Sequence, residues 1–272
     1  MATLRDVVAV LDDLYDPRWA DDWDAVGTVV GDPAAAVSKV LFAVDPVQAV
    51  VDEAVAWGAD LVVVHHPLWL KGVTSVAAGS PKGRVVHDLI SQGVALHTCH
   101  TNADSPSLGV SESMAFALGV HDVRPLEPDD DPARGSGRIG TLDRPVSLAQ
   151  FAQHVAERLP AHHSAVRVAG DADRIIETVA LCGGSGDFLL ATAQAEGADV
   201  YVTSDLRHHP VSEHLERPDA CAVIDVPHWA AEWTWLPVAQ RELTARMPAI
   251  ETRISTIVTD PWTAHLPGTV SL

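Results

Sequence analysis

The run Leu61-Val62-Val63-Val64 stops abruptly at His65-His66-Pro67. Four consecutive apolar residues, three of them β-branched, predict a strand buried on both faces. Such strands belong to parallel sheets covered by helices, so this short run directs the chain toward an α/β fold. Pro67 ends the strand and leaves two imidazoles at its carboxyl end, where open α/β sheets build their sites. Neighbouring strand side chains point to opposite faces, but a bend into a loop can turn both toward one pocket. Two such rings can serve two neighbouring metal ions. The plainer alternative is one core histidine and one solvated one.

Strand and helix signals alternate along all 272 residues, as an α/β architecture requires. Thr3 is placed to cap a first helix with Leu4, Val7, Val8, Leu11 and Leu14 at helical spacing. A loop rich in Asp and Trp is expected over 16–26 and a strand over 37–44. Asp45-Pro46 predicts a helix start and Gly58 its stop. Ser80-Pro81 and Gly93 bracket another helix, a strand over 94–99 leads into His100, and a helix runs through Glu112 to Leu118. The polar segment 127–138 (EPDDDPARGSGR) reads as a connector. The expected domains are therefore 1–126 and 139–272, with the last part packing back on the first. In the second, Ser147 caps a helix, strands are expected over 165–168, 175–182, 200–203, 220–226 and 251–258, and a helix begins near His228.

Composition narrows the function. With 18 basic and 37 acidic residues the chain carries a net charge of −19, which repels phosphate backbones and argues against nucleic-acid partners. A local cation can still hold a small phosphate. No apolar run approaches the ~20 residues that span a bilayer, and Arg5, Asp6, Asp12 and Asp13 break up the N-terminal apolar pattern, so a cytoplasmic protein is expected. Cys99, Cys182 and Cys221 form no C-x-x-C pair, which leaves three buried thiols. The Trp residues at 19, 23, 229, 233 and 235 are expected to pack interfaces.

Two further pairs join the dyad. His100 and Asp104 follow a strand, and a carboxylate four residues after an imidazole can ligate or can orient it. Asp104 can equally cap a helix, and His97 lies inside its strand. His228 and Glu232 are four apart on a predicted helix and share a face, so they can grip one ion or simply stabilise the helix. Imidazoles and carboxylates without thiolate suit Zn, Fe, Mn, Co or Ni. Five or six such ligands make up a two-metal hydrolytic site. Gly183-Gly184-Ser185-Gly186 matches neither phosphate-loop pattern and reads as a tight turn before a helix. Thr203-Ser204-Asp205-Leu206-Arg207-His208-His209 can supply supporting or substrate groups, and Asp187 can cap the next helix.

In order, Trp23-Asp24…Gly27, His65-His66-Pro67-Leu68, His100-Thr101-Asn102-Ala103-Asp104, Gly183-Gly184-Ser185-Gly186, Val202-Thr203-Ser204-Asp205 and His228 with Glu232 resemble the NIF-three-like dinuclear metal-centre proteins. These are labelled GTP cyclohydrolase 1 type 2 homologues, and the resemblance covers nearly the whole chain. It implies two α/β domains with mainly parallel or mixed sheets, a two-metal site in the cleft between them, and a homohexameric ring, a trimer of dimers. It implies His65, His66, Asp104, His228 and Glu232 as ligands to two divalent ions. Glu232 would bridge, His66 and Asp104 would share one ion, and His65 and His228 the other. His100 would be a further ligand or lie close behind. The family's usual Asn, Leu and Gly are here Ala25, Thr28 and Ser204.

The expected activity is hydrolysis of a small nucleotide, at its purine ring, or of a phosphoester. A bridging metal-bound water would be the nucleophile, with His100 or His97 moving the proton. The alternative is a non-catalytic metal-binding regulatory or scaffold protein on the same hexamer.

Overall fold

The structure is a computed structural model that describes residues 1–266. Contacts divide the chain into two compact units. The first comprises Met1–Val110 and Trp235–Thr259, and the second Ser111–Thr234 with the stretch from Asp260 onward.

In the first unit, strands β1 (Gly27–Val30), β2 (Lys39–Ala43), β3 (Leu61–Val64) and β4 (Ala95–Thr98) form one sheet with Glu251–Ile254. The spatial order is Glu251–Ile254, β2, β3, β4, β1. All neighbours run parallel except β1, which is antiparallel to β4. All four residues of β3 are buried, as its unbroken apolar run predicted. Helices α1 (Leu4–Leu14), α2 (Gln48–Trp57), α3 (Pro81–Gln92) and the short α4 (Thr101–Asp104) belong to this unit. Thr3 and Asp6 form a capping box at α1, and Ser80 caps α3. The main core packs Leu41, Val62, Val64 and Leu96 of the sheet against Val50, Val51 and Ala54 of α2 and Val85, Val86 and Leu89 of α3.

The second unit holds a mixed sheet of β5 (Val120–Pro128), β6 (Gly135–Ser147), β7 (Arg167–Ala169), β8 (Ile175–Ser185), β9 (Val200–Ser204) and β10 (Ala222–Val226). Its order is β5-β6-β8-β9-β10-β7. The trio β8-β9-β10 is parallel and the flanking pairs are antiparallel. Helices α5 (Val110–Ala117), α6 (Leu148–Arg158), α7 (Leu190–Ala195), α8 (His208–Leu215) and α9 (His228–Trp233) accompany it. Ser147 caps α6, as read from the sequence, and Gln150 completes a capping box with it.

Four expectations need correction. The supposed connector 127–138 is the tip of the β5–β6 hairpin, where Glu127 pairs with Ser136 and Pro128 with Gly135. Its Arg138 is buried, held by Glu112 at 3.1 Å and by the carbonyls of Gly135 and Gly137. The chain changes unit near 110, 234 and 259 instead. Asp45 does not cap α2, whose N-cap is Val47 without a side-chain bond. Gly183, Gly184 and Ser185 end a strand rather than forming a turn. The strand expected over 251–258 stops at Ile254. All three cysteines are buried thiols. Among the described residues, no helix is long and apolar enough to cross a membrane.

Candidate metal centre

Three parallel strands of the first unit deliver their next residues to one sheet edge. Asp45 follows β2, His65 and His66 follow β3, and His100 follows β4. Backbone bonds hold these exits in register, with the His66 amide donating to the Val44 carbonyl at 2.9 Å and the Cys99 amide to the Val64 carbonyl at 2.9 Å. β1 is antiparallel, so its beginning reaches the same edge, with Gly27 opposite Thr98. Asp24 lies just before it.

His65, His66 and His100 converge there. Each offers a ring nitrogen, and the three nitrogens lie within 4.8 Å of one another. The ring centroids are 5.1 Å apart for His65–His66, 5.0 Å for His65–His100 and 5.6 Å for His66–His100. Asp104, at the end of α4, places Oδ1 3.7 Å from His65 Nε2. The buried Trp235 packs against His65 with centroids 5.7 Å apart. Its indole N–H donates to the Tyr15 hydroxyl at 3.0 Å.

Every imidazole of this cluster has an acceptor at Nδ1. For His65 it is the Cys99 carbonyl at 2.9 Å. For His66 it is Asp45 Oδ1 at 2.7 Å, and for His100 it is Asp24 Oδ1 at 2.8 Å. A carbonyl or carboxylate there draws the proton to Nδ1 and leaves Nε2 as the electron-pair donor, the arrangement typical of metal-bound histidine. The carboxylates are themselves anchored. Asp45 also accepts from the Thr259 hydroxyl, and Asp24 accepts from the Thr101 hydroxyl at 2.6 Å and amide at 3.0 Å. Burial pushes the Asp24 carboxyl up, but the bonds from His100 and Thr101 outweigh it and hold the group well below the usual carboxylate range.

The second unit repeats the principle. Gly184 and Ser185 end β8, Asp205 follows β9 and His228 follows β10, all at the carboxyl edge of the parallel trio. On α9, His228 Nε2 and Glu232 Oε1 are 2.7 Å apart, and His228 Nδ1 lies 2.8 Å from Asp205 Oδ2. Burial pushes the His228 imidazole down, but the Glu232 and Asp205 carboxylates raise it to about 11. The His228–Glu232 pair therefore shares a proton that a divalent cation can replace. Glu232 is buried, and Gly184 makes room for it. A Cβ at 184 would meet Glu232 Oε1 at 2.7 Å and the His228 ring at 3.5 Å. Asp205 has φ +57°, an uncommon conformation for a non-glycine residue.

The donor chemistry fits first-row divalent ions, because neutral imidazole and buried carboxylate suit them and no thiolate intrudes. His97 does not join the cluster of imidazoles. It is buried inside β4, with Nδ1 3.1 Å from the Thr28 hydroxyl, and burial pushes it down to about 4. His208 and His209 begin α8 with exposed side chains. Asp187 does not cap α7 but bonds Arg207 at 2.5 Å. The orienting role of Asp45 was not anticipated. Its one sequence signal is its place directly after a strand.

A model of the Duf34/NIF3 (NGG1p interacting factor 3) family matches residues 2–261. A Streptomyces coelicolor protein named GTP cyclohydrolase 1 type 2 homolog is 50% identical over 273 residues, covering 98% of this chain and 95% of the relative. A Mycobacterium tuberculosis protein of the same name is 35% identical over 367 residues, covering 95% and 96%. Among solved structures, a Bacillus cereus protein related to NIF3 superposes with TM-score 0.89 at 22% identity, covering 96% of this chain and 99% of that one. A Staphylococcus aureus hypothetical protein gives TM-score 0.89 at 26% identity, with 97% and 99% coverage. The fold and the nearly end-to-end likeness agree: the chain belongs to the Duf34/NIF3 family.

Proposed function

We propose that this protein is a dinuclear metal-dependent hydrolase of small nucleotides or phosphoesters. The observation that carries the reading is the common setting of His65, His66 and His100, each engaged at Nδ1 by a carbonyl or carboxylate. In this reading His65, His66, Asp104, His228 and Glu232 would hold the two ions, with Glu232 as the shared carboxylate. When bound, the ions supply Lewis acidity and bring the pKa of a water toward neutrality.

The chain's own residues then have defined tasks. Asp45 fixes the orientation of His66, and Asp205 that of His228. Asp24 holds His100 as a carboxylate holds the imidazole of a general base. The His100 side chain is 15% exposed and that of His65 only 1%. His100 is therefore the better placed to pass a proton to solvent, and His65 to act as a fixed ligand. His97 has no catalytic task in this reading.

The relatives' name, GTP cyclohydrolase 1 type 2 homolog, supports a cyclohydrolase-like reaction, and a phosphoesterase-like one rests on the donor set alone. The assembly that goes with it is a homohexamer, which light scattering would detect at six times the 28.9 kDa chain mass. The primary test is metal analysis of protein purified without chelators, then a hydrolysis screen of nucleotides and phosphoesters with each candidate ion. Two ions per chain are expected, reduced in His66→Ala and Glu232→Ala together with turnover. Full metal content in both variants would overturn the assignment. Retained metal with no turnover under any ion would favour the regulatory or scaffold alternative.

A further inference from the structure

Beside His66 the first unit holds a cavity of about 510 Å³, within the ~300–1,000 Å³ of small-molecule sites. Its wall is apolar, formed by Val47, Pro67, Leu68 and Val85, with Leu68 and Val85 buried. Its polar lining is uneven in charge. Lys82 and Arg84 come from the first turn of α3, and Gln48, Asp45 and His66 complete it. Asp45 is already engaged by His66 and Thr259. Lys82 donates one N–H to the Leu68 carbonyl at 2.5 Å, and an ammonium group has two more to give. Arg84 is 3.7 Å from Asp88, with its side chain 52% exposed. In a chain with 37 acidic and 18 basic residues, two cations stand together at one apolar cavity, where Asp45 is turned to His66 and Thr259 and Asp88 reaches Arg84 only at 3.7 Å.

We propose that this cavity binds a ring-bearing phosphomonoester, with its ring against the apolar wall and its phosphate on Lys82 and Arg84. The proposal rests on the reading of the His66 cluster as the reactive centre, and it adds how a substrate is held beside that centre. A flat hydrophobic body buries the wall. The phosphate takes charge-assisted hydrogen bonds that an uncharged analogue cannot form. A nucleoside monophosphate and a simple aryl phosphate share this chemistry.

The test is titration calorimetry on the metal-loaded full chain with guanosine 5′-monophosphate and phenyl phosphate, and with guanosine as the uncharged control. Guanosine monophosphate is expected to bind at least about tenfold tighter than guanosine. That advantage should vanish in Lys82→Ala/Arg84→Ala, whose side chains are at the surface and whose fold should survive. Val47→Trp, at an exposed position of the wall, narrows the cavity and should weaken both phosphates. Binding of phenyl phosphate as well would assign the site to ring phosphomonoesters in general, and binding of the nucleotide alone would assign it to nucleoside monophosphates. Equal affinity of both phosphates for wild type and the double variant would overturn the proposal, as would no binding of either phosphate to wild type. Metal content read on the same samples separates the two ideas. Loss of the ions from wild type would count against the metal centre, whereas retained ions with variant-insensitive binding would count against the cavity alone.

Discussion

At the scale of single residues, the site depends as much on its acceptors as on its ligands. Asp24 and Asp45 hold His100 and His66 at 2.8 and 2.7 Å, and such partners set ring orientation and basicity. Asp45→Asn should weaken metal binding by roughly 10–100-fold with every proposed ligand still present. Competition with a chromogenic chelator would measure this, and unchanged affinity would remove Asp45 from the scheme. His97 gives a different signal. Burial pushes it down to about 4 from an ordinary 6.5, so the folded chain binds fewer protons than the unfolded chain between those values. Its contribution is fully present above pH 6.5 and is lost as pH falls to about 4. Wild type should therefore lose about 3 kcal/mol more than His97→Asn across that window, read by urea unfolding at each pH. Parallel pH profiles would show that His97 is not the cause. The imidazoles themselves were legible in the sequence because they close apolar runs. Which carboxylate holds which ring was not, although Asp24 and Asp205 stood in the motifs, since Asp45, Asp24 and Asp205 lie 21, 76 and 23 residues away from the rings they hold.

At the scale of elements, local signals were read well where the chain obeys local rules. The caps at Thr3, Ser80 and Ser147 and the buried run of β3 are as expected. The β5–β6 hairpin was read as a connector because its tip is polar and its buried Arg138 depends on Glu112, which is remote in sequence. Gly183-Gly184 was read as a turn because glycine usually marks one. Here Gly184 marks the close approach of α9 to the end of β8. Gly58 offers a matched comparison, as it ends α2 at φ +74° with nothing within 4 Å of a Cβ, whereas Gly184 has φ +73° and Glu232 Oε1 at 2.7 Å. Gly58→Ala should cost about 1–2 kcal/mol from backbone strain alone and leave metal content unchanged. Gly184→Ala should cost more and lower metal content by displacing Glu232. Denaturant midpoints and metal analysis of the two variants would test this, and equal behaviour would mean that the approach to Glu232 is not tight.

At the scale of the whole molecule, a return of the last part to the first domain was expected, but its bounds could not be read from composition, because the first unit is discontinuous. Residues 235–259 supply helix Leu236–Arg246, the buried Trp235 and the strand that pairs with β2. No polar stretch announces that return. A fragment of residues 1–110 would therefore lack one edge of its sheet and the ring that packs on His65. Cys99 is fully buried, and its thiol is pushed up by burial. In the intact chain it should resist a thiol reagent, and in the fragment it should react at the rate of an unfolded peptide. Protection of Cys99 in the fragment would show that residues 235–259 are dispensable for that core. The same connectivity bears on biosynthesis. A ribosome delivers Lys39–Ala43 some two hundred residues before its parallel partner Glu251–Ile254. During that interval the nascent sheet has an open border that a chaperone, or a second nascent chain, can reach first.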